Sequence, residues 1–144
     1  MANKTVSISA TMGSGWAIHA DIRDHKVVID QPTSSGGTNE GPSPLEYFLF
    51  SLAGCVGSIG RIAAHQKKIN LQSMEIKVEA DLNSAGLMGQ KTDDRVGFQQ
   101  IRISAKIDAD LSASEKAAFL DEVCDRCPLH DNTKLETEVI HQLA

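Results

Sequence analysis

Alternation of apolar and polar residues predicts β-strands in the first part of the chain. The alternation runs from Val6 to Ala10 and again from Trp16 to Ile22, with a Gly-Ser-Gly turn between the two segments. This pattern is typical of two antiparallel strands joined as a hairpin. Lys26 to Gln31 follows as a third short strand. The polar stretch from Pro32 to Pro44 then predicts a loop.

The next segment changes to a helical pattern. Ser43 is a suitable N-cap, Pro44 suits the first helical position, and Glu46 completes a Ser-x-x-Glu capping box. We predict a helix from Pro44 to about Lys68, which would be ~37 Å long at ~1.5 Å per residue. Such a helix must be covered on every side, because its apolar residues lie nearly all around it: Leu45, Phe48, Leu49, Phe50, Leu52, Ala53, Val56, Ile59, Ile62 and Ala63.

Three glycines recur at every third position of this helix, as Gly54, Gly57 and Gly60. Each costs up to about 1 kcal/mol relative to alanine in a helix interior, so something must compensate. Two explanations are open. Either a second backbone approaches closely, such as the same helix of another subunit, or the glycines pack locally against the sheet.

The C-terminal half repeats the strand and helix signals. Apolar residues alternate from Met74 to Leu82 and from Ile101 to Ile107, with a polar loop between them. The capping box Ser112–Glu115 opens a second long helix, whose pattern is interrupted at Pro128, and Leu135 to Leu143 predicts a last strand. The order βββ-α-ββ-α-β describes an α+β domain of antiparallel strands with a long central helix. The pattern alone also allows a ferredoxin-like sandwich with extra N-terminal strands.

Length and composition indicate a single globular domain over residues 1–144. Hydrophobic residues make up 41% and charged residues 23% of the chain, and the net charge is −5, which argues against disorder and against a nucleic-acid surface. The N-terminus has no apolar stretch long enough for a secretory signal. The longest apolar run, Tyr47 to Ile59, is shorter than the ~20 residues that span a bilayer. We therefore expect a cytoplasmic protein without a nucleic-acid or membrane partner.

The three cysteines are the main candidates for chemistry. In a reducing compartment they are not expected to form a structural disulfide framework. Cys55 lies in the middle of the long helix, where it is either a small buried side chain or a nucleophile. In the second interpretation Cys55 attacks an oxidised substrate as a thiolate, and Cys124 or Cys127 resolves the sulfenic acid to a disulfide. We predict that Cys124 and Cys127 share a helix face, so helix geometry does not distinguish them.

The C-x-x-C motif formed by Cys124 and Cys127 has two further interpretations. A thioredoxin-type motif would follow a strand and open a helix, whereas this one closes a helix and precedes Pro128, so we reject that interpretation. A structural zinc site would take Cys55, Cys124, Cys127 and His130, a permitted set of three sulfurs and one nitrogen. The sequence has no second paired motif of this kind, which disfavours zinc.

Two segments of the chain resemble the OsmC/Ohr family. They are GGTNEGPSPLEYFLFSLAGCV, from Gly37 to Val56, and RCPLHDNTKLETEV, from Arg126 to Val139. In that family a Gly-rich loop and a Pro-capped helix lead to the reactive cysteine, and a Cys-Pro pair follows in a second helix. The resemblance implies an OsmC-like fold in a swapped homodimer whose long central helices pack together. It also implies reduction of organic or hydrogen peroxides by a thiol pair and an external thiol reductant, without metal, flavin or other cofactor.

The motif match implies a role for each cysteine. Cys55 takes the peroxidatic position and Cys127, which precedes a proline, takes the resolving position, so Cys124 is the extra thiol. Family peroxidases place a glutamate directly after the helix-opening proline and an arginine in the preceding loop. This chain departs from both features, because Glu46 comes one place later and the loop from Gln31 to Ser43 has no arginine.

These departures leave two hypotheses open. Glu46 is either a supporting acid or only the helix cap, and Arg23 upstream has no match to the family arginine. The first hypothesis for the protein is a thiol peroxidase that uses Cys55 and Cys127. The alternative is an OsmC-like protein without peroxidase activity that binds a small apolar ligand or carries out other thiol chemistry.

Overall fold

A computed structural model describes residues 3–144 of the protein. It divides into two compact units, one that ends at Phe48 and one that comprises Leu49–Ala144. The sequence-based prediction of a single domain over residues 1–144 remains a prediction. Each unit has its own sheet.

The first unit contains an antiparallel sheet in the order β1-β2-β3. Its strands are β1 (Ala10–Met12), β2 (Ile18–Ile22) and β3 (His25–Ile29). The predicted hairpin is therefore present, but its first strand is shorter than the alternation suggests. Residues 6–9 are exposed and lie outside any strand, because only residues 10–12 pair with β2.

Asp30, directly after β3, organises the loop that follows. Its side chain is fully buried, and the carboxylate accepts hydrogen bonds from the backbone N–H groups of Gln31 (2.7 Å), Thr38 (3.2 Å) and Glu40 (3.0 Å). The Thr38 hydroxyl donates a further bond at 2.8 Å. These donors lower the pKa of Asp30, with the Glu40 N–H as the largest cause. The loop is thus wrapped around one buried anion.

Two glycines allow the chain to pass this close to itself. A Cβ atom on Gly37 would lie 2.1 Å from the carbonyl oxygen of Gln31, and one on Gly41 would lie 2.4 Å from that of Val28. Both obstacles are backbone atoms that cannot rotate away. Glycine is therefore required at these two positions by close approach of the chain.

The long helix α1 (Pro44–Gln66) begins and ends where local signals place it. At the start, the Glu46 N–H donates to the Ser43 hydroxyl oxygen at 3.3 Å. At the end, Lys68 adopts a left-handed conformation (φ 57°), and the Ile69 N–H bonds back to the Ala64 carbonyl at 2.8 Å. This closing turn satisfies a carbonyl that the last helical turn leaves open.

In the second unit, α1 buries one face and exposes the other. The buried residues follow a helical repeat: Leu52, Val56, Gly60, Ala63 and Ala64. Large apolar side chains remain exposed elsewhere, including Phe50 (70% exposed) and Ile62 (46%). Within the described residues, Pro44–Lys67 is long and apolar enough to cross a bilayer, a test that the core helix of a soluble protein also passes.

The second sheet is a two-stranded antiparallel pair of β4 (Leu71–Asp81) and β5 (Gln100–Ala109). Its register places apolar residues opposite each other on one face, with Met74 opposite Ile107 and Val78 opposite Ile103. The short helix α2 (Ser84–Leu87) lies in the connection. The predicted second pair of strands is confirmed, and its apolar face packs against the core.

Helix α3 (Ala113–Asp125) begins at the predicted capping box, with both reciprocal bonds between Ser112 and Glu115 present. Phe119 and Val123 are its buried residues. They join the core of the second unit, whose buried members are Leu52, Val56, Ala63, Ala64, Leu71, Ile107, Phe119, Val123 and Cys127. A further helix, α4 (Pro128–Lys134), follows α3 at once.

The structure favours sheet packing for two of the three helix glycines. A Cβ on Gly60 would lie 2.6 Å from the Met74 sulfur, and one on Gly57 would lie 3.4 Å from the Ile76 side chain. Both neighbours belong to β4. Apart from its chain neighbours and the backbone of its own helix, no described atom lies within 4 Å of such a Cβ on Gly54, so this glycine leaves an open notch on the helix surface.

The prediction of a last strand from Leu135 to Leu143 is wrong for the described chain. α4 ends at Lys134, and residues 136–144 form neither helix nor strand. The apolar residues that suggested alternation are exposed, with Val139 at 82% and Ile140 at 85%. A strand needs a partner that accepts its backbone hydrogen bonds. None of the described strands β1 to β5 pairs with the segment from Leu135 to Leu143.

Candidate functional site

Cys55 occupies a half-buried position on α1 of the second unit. It lies between Leu52 and Val56, both buried in the core, and it packs against that core itself. Its place on a long, well-anchored helix fixes the direction of the thiol. The side chain is thus neither a fully buried hydrophobe nor a freely exposed group.

Cys127 lies at the junction between α3 and α4. α3 ends at Asp125, and Cys127 is the N-cap of α4, with Pro128 as the first helical residue. Its sulfur is fully buried and accepts a hydrogen bond from the His130 N–H at 3.4 Å. The prediction that Cys124 and Cys127 share one face of one helix is therefore wrong, because Pro128 starts a new helix and Cys127 caps it.

The fold brings Cys55 and Cys127 together across 72 positions of sequence. Their sulfur atoms lie 2.6 Å apart, with the Cys127 thiol donating to the Cys55 sulfur. Both are free thiols in this structure. A disulfide has a sulfur–sulfur distance of ~2.05 Å, so a small approach of the two side chains would complete the bond. The structure thereby distinguishes the two C-terminal cysteines, which helix geometry alone does not.

Polar contacts between the ends of α1 and α3 hold this arrangement in place. Lys67, just after α1, forms an ion pair with Glu122 of α3. Arg126 bonds to Gln66 at 2.9 Å and to Glu122 at 3.3 Å. Since Arg126 precedes Cys127 directly, these contacts position the Cys127 backbone against the helix that carries Cys55.

The electrostatic surroundings of Cys55 oppose its ionisation. Burial raises the pKa of Cys55 above its ordinary value of 9.0, and the neighbouring Cys127 thiol raises it further. The N–H group of Leu129 lowers this pKa by donating a hydrogen bond, but it does not outweigh the other two causes. Among the described residues, no cationic side chain contributes to the shift. The site therefore has the geometry of a thiol pair without a charged activating group.

Cys124 lies close to the pair but does not belong to the sulfur contact. It is half-buried in the last turn of α3. Burial raises the pKa of Cys124, and the charges of Cys127, Asp121 and Asp125 add to the effect. It lines a cleft of about 490 Å³ together with Ile101, Ile103, Leu120, Asp121, Asp125 and His130.

The structure does not assemble the alternative zinc site. Within residues 3–144, no group of three or more His, Cys, Asp or Glu side chains has an arrangement that could hold a metal ion. Cys55 and Cys127 touch, but Cys124 and His130 do not complete a ligand set with them.

Glu46 and Arg23 lie in the first unit. The Glu46 carboxylate accepts a hydrogen bond from the Ser43 hydroxyl at 2.8 Å, which supports its role as a helix cap. Its role as a supporting acid remains a prediction. Arg23 lies in the turn between β2 and β3 and has a positive φ of 54°.

Two basic residues near the candidate site, Arg95 and Lys134 at the end of α4, are not among the residues predicted from the sequence. Arg95 and Lys134 line a cleft of about 280 Å³ that also includes Leu52 and His130. Arg95 lies in the polar connection before β5, where nothing in the local sequence separates it from an ordinary surface residue. Asp30 is not among the predicted residues either. An acidic residue directly between an apolar strand and a Gly-rich loop could have indicated that the loop folds around it.

The sequence matches the OsmC-like protein family over residues 37–142. The chain belongs to this family. The match includes Cys55, Cys124 and Cys127, and it covers most of the second unit but only residues 37–48 of the first. No match was found among curated proteins.

Solved structures of OsmC-like proteins match the fold of this chain. An OsmC-like protein from Mycoplasma pneumoniae matches with a TM-score of 0.79 and 23% identity, over 92% of this chain and 89% of that one. The organic hydroperoxide resistance protein OsmC from Legionella pneumophila matches with a TM-score of 0.69 and 21% identity, over 93% and 92%. The organic hydroperoxide resistance protein OhrB of Bacillus subtilis matches with a TM-score of 0.60 and 20% identity, over 92% and 93%.

These similarities establish the predicted α+β fold, with its antiparallel strands and long helix, as OsmC-like. Two of the matched proteins are named for resistance to organic hydroperoxides. All three identities are below 25%, so the likeness concerns the fold.

Proposed function

We propose that this OsmC-like protein is a thiol peroxidase that reduces organic hydroperoxides or hydrogen peroxide. The observation that carries the proposal is the 2.6 Å contact between the Cys55 and Cys127 sulfur atoms. A peroxidatic thiol needs a second thiol within reach, because a sulfenic acid left alone is oxidised further to irreversible products. The names of the structurally similar proteins from Legionella pneumophila and Bacillus subtilis add support.

The proposed reaction uses the pair in two steps. The Cys55 thiolate attacks the terminal peroxide oxygen, the O–O bond breaks, and an alcohol leaves after taking a proton, which makes Cys55 a sulfenic acid. The Cys127 sulfur then attacks the Cys55 sulfur, water leaves, and a disulfide forms. An external dithiol supplies the two electrons that restore both thiols.

Backbone donors at the start of α4 assist the pair. The Leu129 N–H donates to the Cys55 sulfur, and the His130 N–H donates to the Cys127 sulfur. Pro128 has no N–H, so the first free donors of the helix lie at these two residues. Because the pKa of Cys55 is nevertheless raised, the thiolate is the minor form of Cys55 at neutral pH. The reaction is therefore expected to be slow at neutral pH and to accelerate as the pH rises.

Disulfide mapping tests the proposal directly. After one equivalent of tert-butyl hydroperoxide, free thiols are blocked and the protein is digested with trypsin. Cleavage after Lys and Arg places Cys55 in peptide 27–61 and Cys127 in peptide 127–134. We expect these two peptides to be linked. Recovery of both as blocked free thiols after the peroxide is consumed, or without its consumption, contradicts the proposal.

Substitutions separate the two roles. Cys55→Ser should abolish peroxide consumption, whereas Cys127→Ser should still consume one equivalent and leave a sulfenic acid that dimedone traps on peptide 27–61. Ser58→Ala, an exposed change on the same helix, is the matched control and should behave as wild type. Equal activity of Cys55→Ser and the control would exclude Cys55 as the attacking residue.

A second candidate function rests on the raised pKa of Cys55. An OsmC-like protein without peroxidase activity, which binds a small apolar ligand or carries out other thiol chemistry, needs no activated thiolate. In that case the oxidant diamide would still join Cys55 and Cys127 in a disulfide, but peroxide would not. Comparison of diamide with tert-butyl hydroperoxide as oxidants distinguishes the two functions.

We also propose that the protein acts as a homodimer in a reducing compartment such as the cytoplasm. Support comes from the exposed apolar side chains of α1, Phe50 and Ile62, and from the open notch at Gly54. Sedimentation analysis should give twice the chain mass. Phe50→Glu should dissociate the dimer, whereas Leu87→Glu, at an exposed apolar residue of α2, should not. A wild-type monomer at micromolar concentration would contradict this proposal.

A further inference from the structure

Cys124 differs from an isolated surface cysteine because it shares a turn with Cys127, the buried member of the thiol pair. The Cys127 N–H donates to the Cys124 carbonyl at 3.2 Å, which closes a turn of four residues. Such a turn keeps its first and last Cα atoms within ~7 Å of each other. Disulfides typically join Cα atoms about 4.4–6.8 Å apart, which overlaps the Cα separation that this turn allows. Cys127 thus has two potential partners, Cys55 and Cys124.

The three cysteines differ in access to solvent. Cys127 is fully buried, whereas Cys55 and Cys124 are both half-buried, and Cys124 lines the cleft of about 490 Å³ between β5 and α3. A protein reductant must place its own thiolate in line with a sulfur atom of the disulfide. The Cys127 sulfur offers no exposed surface for this attack. A disulfide that includes Cys124 would place one of its sulfur atoms at the cleft.

We propose that Cys124 is a third redox thiol that receives the disulfide from the Cys55–Cys127 pair. This inference rests on the proposed function of that pair. The Cys124 thiol loses its proton to water, and its thiolate attacks the Cys127 sulfur. The Cys124–Cys127 bond forms, the Cys55–Cys127 bond breaks, and Cys55 leaves as a thiolate that takes up a proton. The exchange changes no oxidation state and moves the disulfide toward the cleft.

The surroundings of Cys124 suit exchange better than attack on peroxide. Burial and the carboxylates of Asp121 and Asp125 raise the pKa of Cys124. A cysteine whose thiolate fraction is low at neutral pH reacts slowly with dilute peroxide. Exchange with a disulfide held in the same turn is intramolecular, so its high effective concentration offsets the low thiolate fraction. Cys55 would thereby return to the thiol form before a reductant reaches the Cys124–Cys127 disulfide.

Tryptic mapping resolves every possible disulfide, because Arg126 separates Cys124 from Cys127. The three cysteines fall in peptides 27–61, 117–126 and 127–134. The full-length protein is oxidised with one equivalent of diamide, which needs no peroxidase activity, and samples are quenched with acid over an hour. We expect the link from 27–61 to 127–134 to appear first and the link from 117–126 to 127–134 to replace part of it.

Matched variants test each half of the inference. Cys55→Ser should form the 124–127 disulfide directly with diamide, and Cys124→Ser should retain the 55–127 disulfide without further change. Reduction of the oxidised Cys124→Ser protein by thioredoxin should be at least about tenfold slower than that of wild type, whereas reduction by the small reagent dithiothreitol should differ much less.

Failure of the inference and failure of the proposed function give different results. If diamide yields a 55–127 disulfide that persists and Cys124→Ser is reduced at the wild-type rate, the inference is overturned. If diamide yields both disulfides in succession but hydroperoxide leaves all three thiols free, the peroxidase function fails and the exchange stands. If diamide gives no link between 117–126 and 127–134 even in Cys55→Ser, the turn does not support the bond and the inference is also overturned.

Discussion

Asp30 and Cys55 show opposite responses of an acidic side chain to burial. Asp30 is fully buried in the first unit, yet its pKa is lowered. Cys55 is half-buried in the second unit, and its pKa is raised. The difference lies in the number of hydrogen-bond donors that face each group. Three backbone N–H groups and one hydroxyl surround the Asp30 carboxylate, whereas one backbone N–H reaches the Cys55 sulfur.

This comparison shows that burial alone does not determine the charge state of a side chain. Desolvation penalises both anions, and hydrogen bonds to the charged form can reverse the penalty. The loop after β3 is built to hold an anion permanently, since its backbone is folded around the carboxylate. The thiol pair is held by packing and by contacts at the helix ends, and burial there raises the pKa of Cys55.

The largest expected effect is the pH dependence of Cys55 alkylation. Below its pKa, the rate with iodoacetamide should rise about tenfold per pH unit, because only the thiolate reacts. The measurement follows alkylation of peptide 27–61 by mass spectrometry in wild-type protein. A rate that is already level at pH 7 would show an activated thiolate and would remove the contrast with Asp30.

Removal of the charge from the buried acid should cause the next largest effect. In Asp30→Asn, an amide NH2 group would face N–H donors that now bond to a carboxylate oxygen, and these donors would lose their partner. We expect the thermal midpoint to fall by at least about 5 °C. The matched control is Asp24→Asn, at an exposed position in the turn before β3, which should shift the midpoint little. Equal shifts in both variants would contradict the role of Asp30.

A smaller effect is expected from acid. An aspartate in the unfolded chain has a pKa near 3.8, and the folded value is lower. The stabilisation by Asp30 is therefore complete above about pH 5 and is lost as the pH falls through the folded pKa. The thermal midpoints of wild type and Asp30→Asn should converge as the pH falls from about 5 through the folded pKa. A constant difference across this range would contradict the linkage.

The smallest effect tests whether a charge can make Cys55 resemble Asp30. Ser51 lies one helical turn before Cys55, so Ser51→Arg places a cation on the neighbouring surface. An exposed i,i+4 pair contributes about 0.3–0.5 kcal/mol, which should raise alkylation of Cys55 at pH 7 about twofold. Ser73→Arg, on an exposed position of β4, should leave the rate unchanged. An equal increase in both variants would point to a general charge effect.

The sequence was sufficient for the elements whose signals are local. Capping residues located the starts of α1 and α3, and alternation located β4 and β5, because these features depend on neighbours three or four positions away or on one sheet face. The family segments likewise identified Cys55 and Cys127 as the pair that the fold brings into contact.

Other features depend on contacts that local patterns do not contain. Pro128 was interpreted only as the end of a helix, although the same residue begins α4 and makes Cys127 its N-cap. The strand predicted from Leu135 to Leu143 had the right alternation but has no strand beside it in the described chain. The role of Asp30 depends on a loop that returns to it from residues 38 and 40, a closure that composition does not reveal.

The start of α4 gives the protein a built-in spectroscopic indicator. The amide protons of Leu129 and His130 each point at a sulfur atom of the pair. When that pair changes from thiols to a disulfide, the electron density at both acceptors changes, so these two resonances should move in a nitrogen–proton correlation spectrum. The amide of Glu40, which points at the Asp30 carboxylate, should stay in place. Two signals in one spectrum would then follow the oxidation of the protein in solution, with a third as an internal standard.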